Sequence, residues 1–212
     1  MNLGLVCKTS LSVAASALLI ALTLGCNKKE DNTSNFTTAI NTYYSAHPSC
    51  LWTAPVKFPV QADTSDASKT AGYDALVDQG LLVRTTAEKK VMIIASKQVN
   101  NYDISDKGRS VWTADPNQPG FGNFCYGHRK VNTIDSSTPT TSAVGATTQV
   151  AYHYTMSDVP GWASAAETQT AYPRVRSDVA TPKASNATLI NTNNGWQFGA
   201  PARTTADSQI VE

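Results

Sequence analysis

Two short stretches pair a cysteine with a histidine: HPSC, His47 to Cys50, and FCYGH, Phe124 to His128. Their residue types suit three chemistries. Two cysteines and two histidines are the donors of a tetrahedral zinc site. A thiol with an imidazole in reach makes a nucleophile and its base. Two thiols in an oxidising compartment close a disulfide. The order of donors is unusual for zinc, and the cysteines stand 75 positions apart (125 − 50 = 75). Pro48 and Gly127 serve equally well as turn residues. No papain-like signature surrounds Cys125. The compartment therefore decides among the three.

Other chemistry is weaker. The chain lacks a G-x-S-x-G elbow, and His153 reads as a partly exposed strand residue. Asp103/Asp106 and Glu167/Asp178 are carboxylate pairs without a spacing that sets a glycosidase separation. Tyr43, Tyr44, Tyr152, Tyr154, Trp112, Trp162 and Trp196 suit core packing first and a carbohydrate platform second. Arg84, Lys89, Lys90, Lys97, Lys107 and Arg109 are interleaved with Glu88, Asp103 and Asp106, as on a solvated face. No motif calls for a cofactor, a metal or a catalytic residue.

The N-terminus supplies the compartment. An apolar run, Leu11 to Leu24, follows Lys8 and ends in LTLGC. At about 14 residues it is too short to span a bilayer and has the length of a signal-peptide core. Gly25 before Cys26 at the end of such a run resembles the lipobox of bacterial lipoproteins, with Thr23 where that family most often has Leu. The resemblance implies cleavage before Cys26 and acylation of its thiol. Asn27, not Asp, follows the cysteine. By the enterobacterial sorting rule that implies the outer membrane, facing the periplasm, if the source has one. Residues 26–35 then read as a lipidated, flexible tether. Cys7 leaves with the signal and Cys26 is acylated, so Cys50 and Cys125 are expected to pair. Chain-entropy models assign a loop of that size roughly 4 kcal/mol.

Without residues 1–25 the chain keeps 187 residues (212 − 25), with 16 basic (17 − 1) and 16 acidic side chains. A net charge near zero speaks against a partner bound through its phosphates, so no nucleic acid is expected.

The elements that must position these residues follow from periodicity. Phe36 to His47 reads as an amphipathic helix ended by His47-Pro48. Leu51 to Val60 is extended and too proline-rich for a central strand. A helix runs from Lys69 to Gln79 with Gly80 as its cap, and a strand starts at Leu81. Val91 to Ser96 (VMIIAS) reads as a strand. Ser105 caps a helical turn over Asp106 to Val111. Lys130 to Asp135 is a strand. Thr148 to Met156 is the clearest strand, with Val150, Tyr152, Tyr154 and Met156 on one face. A short helix begins near Pro160. Ala187 to Phe198 reads as a hairpin with Asn194-Gly195 in its turn. Residues 199–212 read as a disordered tail.

Leu76 to Arg109 resembles winged-helix domains: Gly80, Leu81 and Leu82 end a helix, a wing follows, and Tyr102, Ile104, Ser105, Gly108 and Arg109 open the next helix. Ile104-Ser105 replaces the more usual Leu-Thr. The resemblance implies a fold, and function lives in sites and not in folds. The expected architecture is α+β: a winged-helix-like part over 36–115, then a small antiparallel sheet over 116–198. The expected role is that of an envelope lipoprotein, non-catalytic, binding the membrane through its acylated N-terminus and an envelope protein or glycan through its body. An envelope hydrolase or thiol-redox protein is the alternative.

Overall fold

The computed structural model describes residues 32–92, 95–180 and 182–199. The expected signal segment, Cys26 and the tail from residue 200 lie outside these residues. The tether as read ends too late. The Asn32 side chain accepts a hydrogen bond from the Asn35 N–H at 2.9 Å and caps helix α1, Thr33–Ala46. The last three tether residues are therefore its first turn. Gly199, read as tail, is tied by its N–H to the Thr188 carbonyl at 2.7 Å.

The fold is α+β with antiparallel sheets. After α1 come the short strands β1 (Val56–Lys57) and β2 (Val60–Asp63), then helix α2 (Ala67–Asp78). Strands β3 (Leu82–Met92) and β4 (Ala95–Ile104) form a hairpin, followed by helix α3 (Asp106–Val111). Strands β5 (Trp112–Ala114) and β6 (Phe121–Phe124) lead into β7 (His128–Ser137) and β8 (Thr147–Ser157). Helices α4 (Gly161–Ser164), α5 (Ala166–Ala171) and α6 (Pro173–Val179) precede β9 (Lys183–Thr192) and β10 (Gly195–Phe198). The sheets run in the orders β1-β6-β5, β2-β4-β3 and β10-β9-β8-β7. Strands β1 and β2, each preceded directly by a proline (Pro55 and Pro59), both take edges, where a missing N–H breaks no ladder.

Two readings change. The VMIIAS run is no single strand: β3 and β4 pair back to back along it, with Met92 opposite Ala95, and residues 93 and 94 lie outside the described set. A β-branched apolar run fits either side of a hairpin equally. In the last hairpin Asn193 and Asn194 make the turn, because Thr192 pairs with Gly195. Gly195 takes φ +100°. That is the pattern of a turn followed by a glycine bulge.

Two cores result, and a boundary at residue 115 follows neither. One gathers Leu51, Leu76, Leu81, Leu82, Tyr102, Phe124 and Tyr126 with Trp162, Ala163 and Val175 from the late helices. The other sets Phe36, Ala39 and Ile40 of α1 against Val131, Val150, Tyr152, Tyr154, Leu189 and Trp196. Residues next to either cysteine thus feed a core built largely elsewhere in the chain. Met156 packs against both cores. Each large apolar side chain removed from water contributes about 1.5–3 kcal/mol before entropy is counted.

The turn after α2 shows how local rules hold the first core. Gly80 adopts φ +70°, its N–H donates to the Val77 carbonyl, and the Leu81 N–H donates to Leu76. This is the two-bond glycine stop of a helix, sealed by apolar contact between Leu76 and Leu81. The Ser105 hydroxyl donates to the Gly80 carbonyl at 2.6 Å and accepts from the Gly108 N–H at 2.8 Å. One serine thus caps α3 and docks it on the end of α2. A Cβ on Gly108 would run into the Leu81 carbonyl oxygen, which is backbone and cannot step aside. Gly108→Ala is expected to lower stability by at least about 2 kcal/mol in urea unfolding. An unchanged midpoint would show that this contact does not constrain the fold.

Candidate functional site: a stapled junction

Cys50 and Cys125 form a disulfide. They sit opposite each other on an antiparallel bridge. The Ser49 N–H donates to Gly127 at 2.8 Å, Tyr126 N–H to Ser49 at 2.7 Å, and Leu51 N–H to Phe124 at 2.9 Å. HPSC and FCYGH therefore cross as a backbone ladder with a covalent rung. Gly127 is needed there: it takes φ +133°, and a Cβ would lie 2.5 Å from the Ser157 carbonyl oxygen. From α6, Arg174 donates to the Cys50 carbonyl and, at 3.2 Å, to that of Leu51.

The histidines do not join the cysteines. The last carbonyls of a helix have no partner inside it, and imidazole N–H groups suit them. His47 Nδ1 meets the Tyr43 carbonyl at 2.7 Å. His128 Nδ1, from the start of β7, meets the Tyr44 carbonyl at 3.0 Å. A carbonyl only accepts, so Nδ1 carries the proton in both rings. His153 lies on the outer face of the sheet, 2.7 Å from Asp135. Among the described residues no three His, Cys, Asp or Glu side chains cluster as metal ligands.

The carboxylates are likewise engaged in holding the fold. Asp106 pairs with Arg109 at 2.8 Å, and Asp103 accepts the Ile104 N–H at 2.7 Å. Asp178 accepts the Tyr126 hydroxyl at 2.6 Å. Burial first, then that carboxylate, pushes the Tyr126 phenol well above its ordinary value. Glu167 sits in the first turn of α5, where a negative charge suits the helix end. Most of the basic set is similarly engaged. Arg84 meets Asp74 and Lys97 meets Asp63, each at 2.7 Å, while Lys107 donates to the Gln79 carbonyl at 2.7 Å. Hydrogen bonds from Lys97 and then Ser65 hold the Asp63 carboxyl well below its usual range.

Several contributors were invisible in sequence. The Arg129 guanidinium lies 5.0 Å from the Tyr44 ring centre and 4.8 Å from that of Tyr154. It also donates to the Tyr44 hydroxyl at 3.2 Å. Nothing local to Arg129 announces this, because Tyr44 lies on α1. Trp52, Phe58, Tyr73 and Trp112 form a half-exposed aromatic group. Asn123 holds the Trp52 backbone from both sides, accepting its N–H at 3.1 Å and donating to its carbonyl at 2.6 Å. Trp162 and Trp196 are core residues, each in a different core.

The geometry defines an α+β domain in which Cys50 and Cys125 staple a junction between distant segments. No family model, curated protein or solved structure matches the chain.

Two outcomes follow from this junction. Replacing both Cys50 and Cys125 by Ser is expected to cost up to roughly 4 kcal/mol in urea unfolding, the chain-entropy value for so long a loop. Labelling of both thiols in the unreduced native protein would refute the bridge. The second concerns pH. Burial first, then the Tyr152 hydroxyl, pushes the Tyr44 phenol from 10.0 up to about 12. Above pH 10 the unfolded chain loses this proton while the folded chain keeps it. The associated stability is whole below pH 10 and is lost toward about pH 12. Tyr44→Phe should therefore show a smaller fall in urea midpoint between about pH 9 and about pH 11 than the parent. An equal fall would assign the alkaline loss to other groups.

Proposed function

We propose that this protein is a lipid-anchored domain of the bacterial cell envelope, acylated at Cys26, with a non-catalytic structural or partner-binding role. One observation carries the reading. The only cysteines left after signal cleavage and acylation are joined, Cys50 to Cys125. That bridge suits an oxidising compartment. The histidines beside it serve as helix caps, which leaves a nucleophile without a base. Several acyl chains hold a domain durably where one would not. Asn27 directs it to the outer membrane, on the periplasmic side, if the source is Gram-negative. The partner is an envelope protein or a glycan, not a nucleic acid.

Leu76 to Arg109 is winged-helix-like in this reading. Supporting it are α2 ahead of the hairpin, α3 after it, and the strand order β2-β4-β3. Two of the wing's cations, Lys97 and Arg84, are met by Asp63 and Asp74. That pairing suits a surface that does not grip phosphates.

Cys26→Ala in the full chain is expected to move the protein from the membrane fraction to the soluble one. A variant that still sediments with membranes would end the anchor reading.

A further inference from the structure

Helix α1 and strand β10 do not close fully on one another. A groove of about 460 Å³ runs between them, within the size range of small-molecule sites. Its lining is chemically distinctive. Asn35, Thr38 and Thr42 come from α1, where their spacing puts them on one face. Asn194 and Gln197 face them from the last hairpin. Tyr43 and Phe198 form an aromatic end, their rings stacked at 4.0 Å and 13°. His47 stacks on Tyr43 in turn, at 4.1 Å, which holds that wall rigid. Among the described residues no Asp, Glu, Lys, Arg or His lines the groove.

Thr42, Asn194 and Gln197 are exposed, and their side chains have no hydrogen-bond partner among the described residues. Thr38 gives its proton to the Ser34 carbonyl at 2.8 Å and keeps its oxygen free to accept. The groove therefore offers neutral donors and acceptors beside an aromatic surface. A charged ligand would shed water there and meet no counter-charge. A neutral ligand rich in hydroxyls, with an apolar face to lay on a ring, loses nothing of that kind. A peptide added as a strand would find only the four residues of β10 for its ladder.

We propose that the α1–β10 groove binds a neutral saccharide, with Thr42, Asn194 and Gln197 as hydrogen-bonding groups and the face of Phe198 turned away from Tyr43 as the stacking surface; Tyr43, covered by Phe198 and His47, only backs it. The site deepens the reading of a partner-binding envelope domain and rests on it for the ligand's presence.

The test uses the full chain in detergent micelles, titrated with neutral tetrasaccharides of glucose and of N-acetylglucosamine. An acidic galacturonate tetramer and an uncharged polar peptide serve as comparisons. Saturable binding of a neutral sugar is expected, with shifts in the amide resonances of residues 35–46 and 194–198. Gln197→Ala and Thr42→Val should each weaken it about tenfold, the scale of one good hydrogen bond, with an unchanged circular dichroism spectrum. Failure of both neutral sugars to saturate at about 10 mM would overturn the site. Tighter binding of the acidic sugar or the peptide, or binding indifferent to both substitutions, would overturn it too. Membrane fractionation of Cys26→Ala reads the anchor separately, so the two proposals fail independently.

Discussion

The Cys50–Cys125 rung is the constraint on which the arrangement depends, because it lies where the two cores part. On either side of Cys125, Phe124 and Tyr126 enter the core of the helices and the β3–β4 hairpin. A few residues on, Val131 enters the core under α1. The β6–β7 corner therefore has to be placed accurately for both. The disulfide does this from Cys50, the backbone bonds of Ser49 and Leu51 orient the corner, and Arg174 braces it from α6. His128 completes the set by binding the end of α1. A covalent cross-link lowers the entropy of the unfolded chain most when the loop is long. This loop contains the whole of α2, the β3–β4 hairpin and α3.

The two cores are held by different means. Around α2 and α3 a glycine stop and a serine cap act within a few residues, and Gly108 set against Leu81, 27 positions away (108 − 81), joins the two. The other core is long-range throughout. Helix α1 packs on strands that begin between 82 (128 − 46) and 149 (195 − 46) residues after its end, and its polar anchors are distant too: Asn41 to Val131 at 2.9 Å and Tyr44 to Arg129 at 3.2 Å. Such contacts form only after the loop-closure cost of bringing distant segments together has been met. Met156, packed against both cores, joins the two.

This difference explains what could be read from the residues alone. The Gly80 stop, the Ser105 cap and the alternating face of β8 obey rules that act within a few positions, and they emerge where expected. The pairing of Cys50 with Cys125 was legible because they are the two cysteines outside the expected signal and lipobox. The roles of His47 and His128 were not, since both depend on where the last turn of α1 comes to rest. The fate of VMIIAS escaped for another reason: apolar content marks a strand, but no glycine or proline marks the bend. The α1–β10 groove was half legible, as a polar stripe on a helix whose opposite face is Phe36 and Ile40. Its other wall came from a hairpin at the far end of the chain.

The cap at the end of α1 also bears on how the domain would respond to tension. Force applied ahead of Asn32 would be carried along α1, loading the contacts of Phe36, Ala39 and Ile40 in shear. If those gave way, the helix could unravel only as far as Cys50. There the load would pass through a sulfur–sulfur bond into the β6–β7 corner and bypass everything between Leu51 and Phe124. The β3–β4 hairpin with α2 and α3 forms a mechanically shielded loop. A pull at the N-terminal end could extend the chain by one helix while leaving residues 51–124 unloaded.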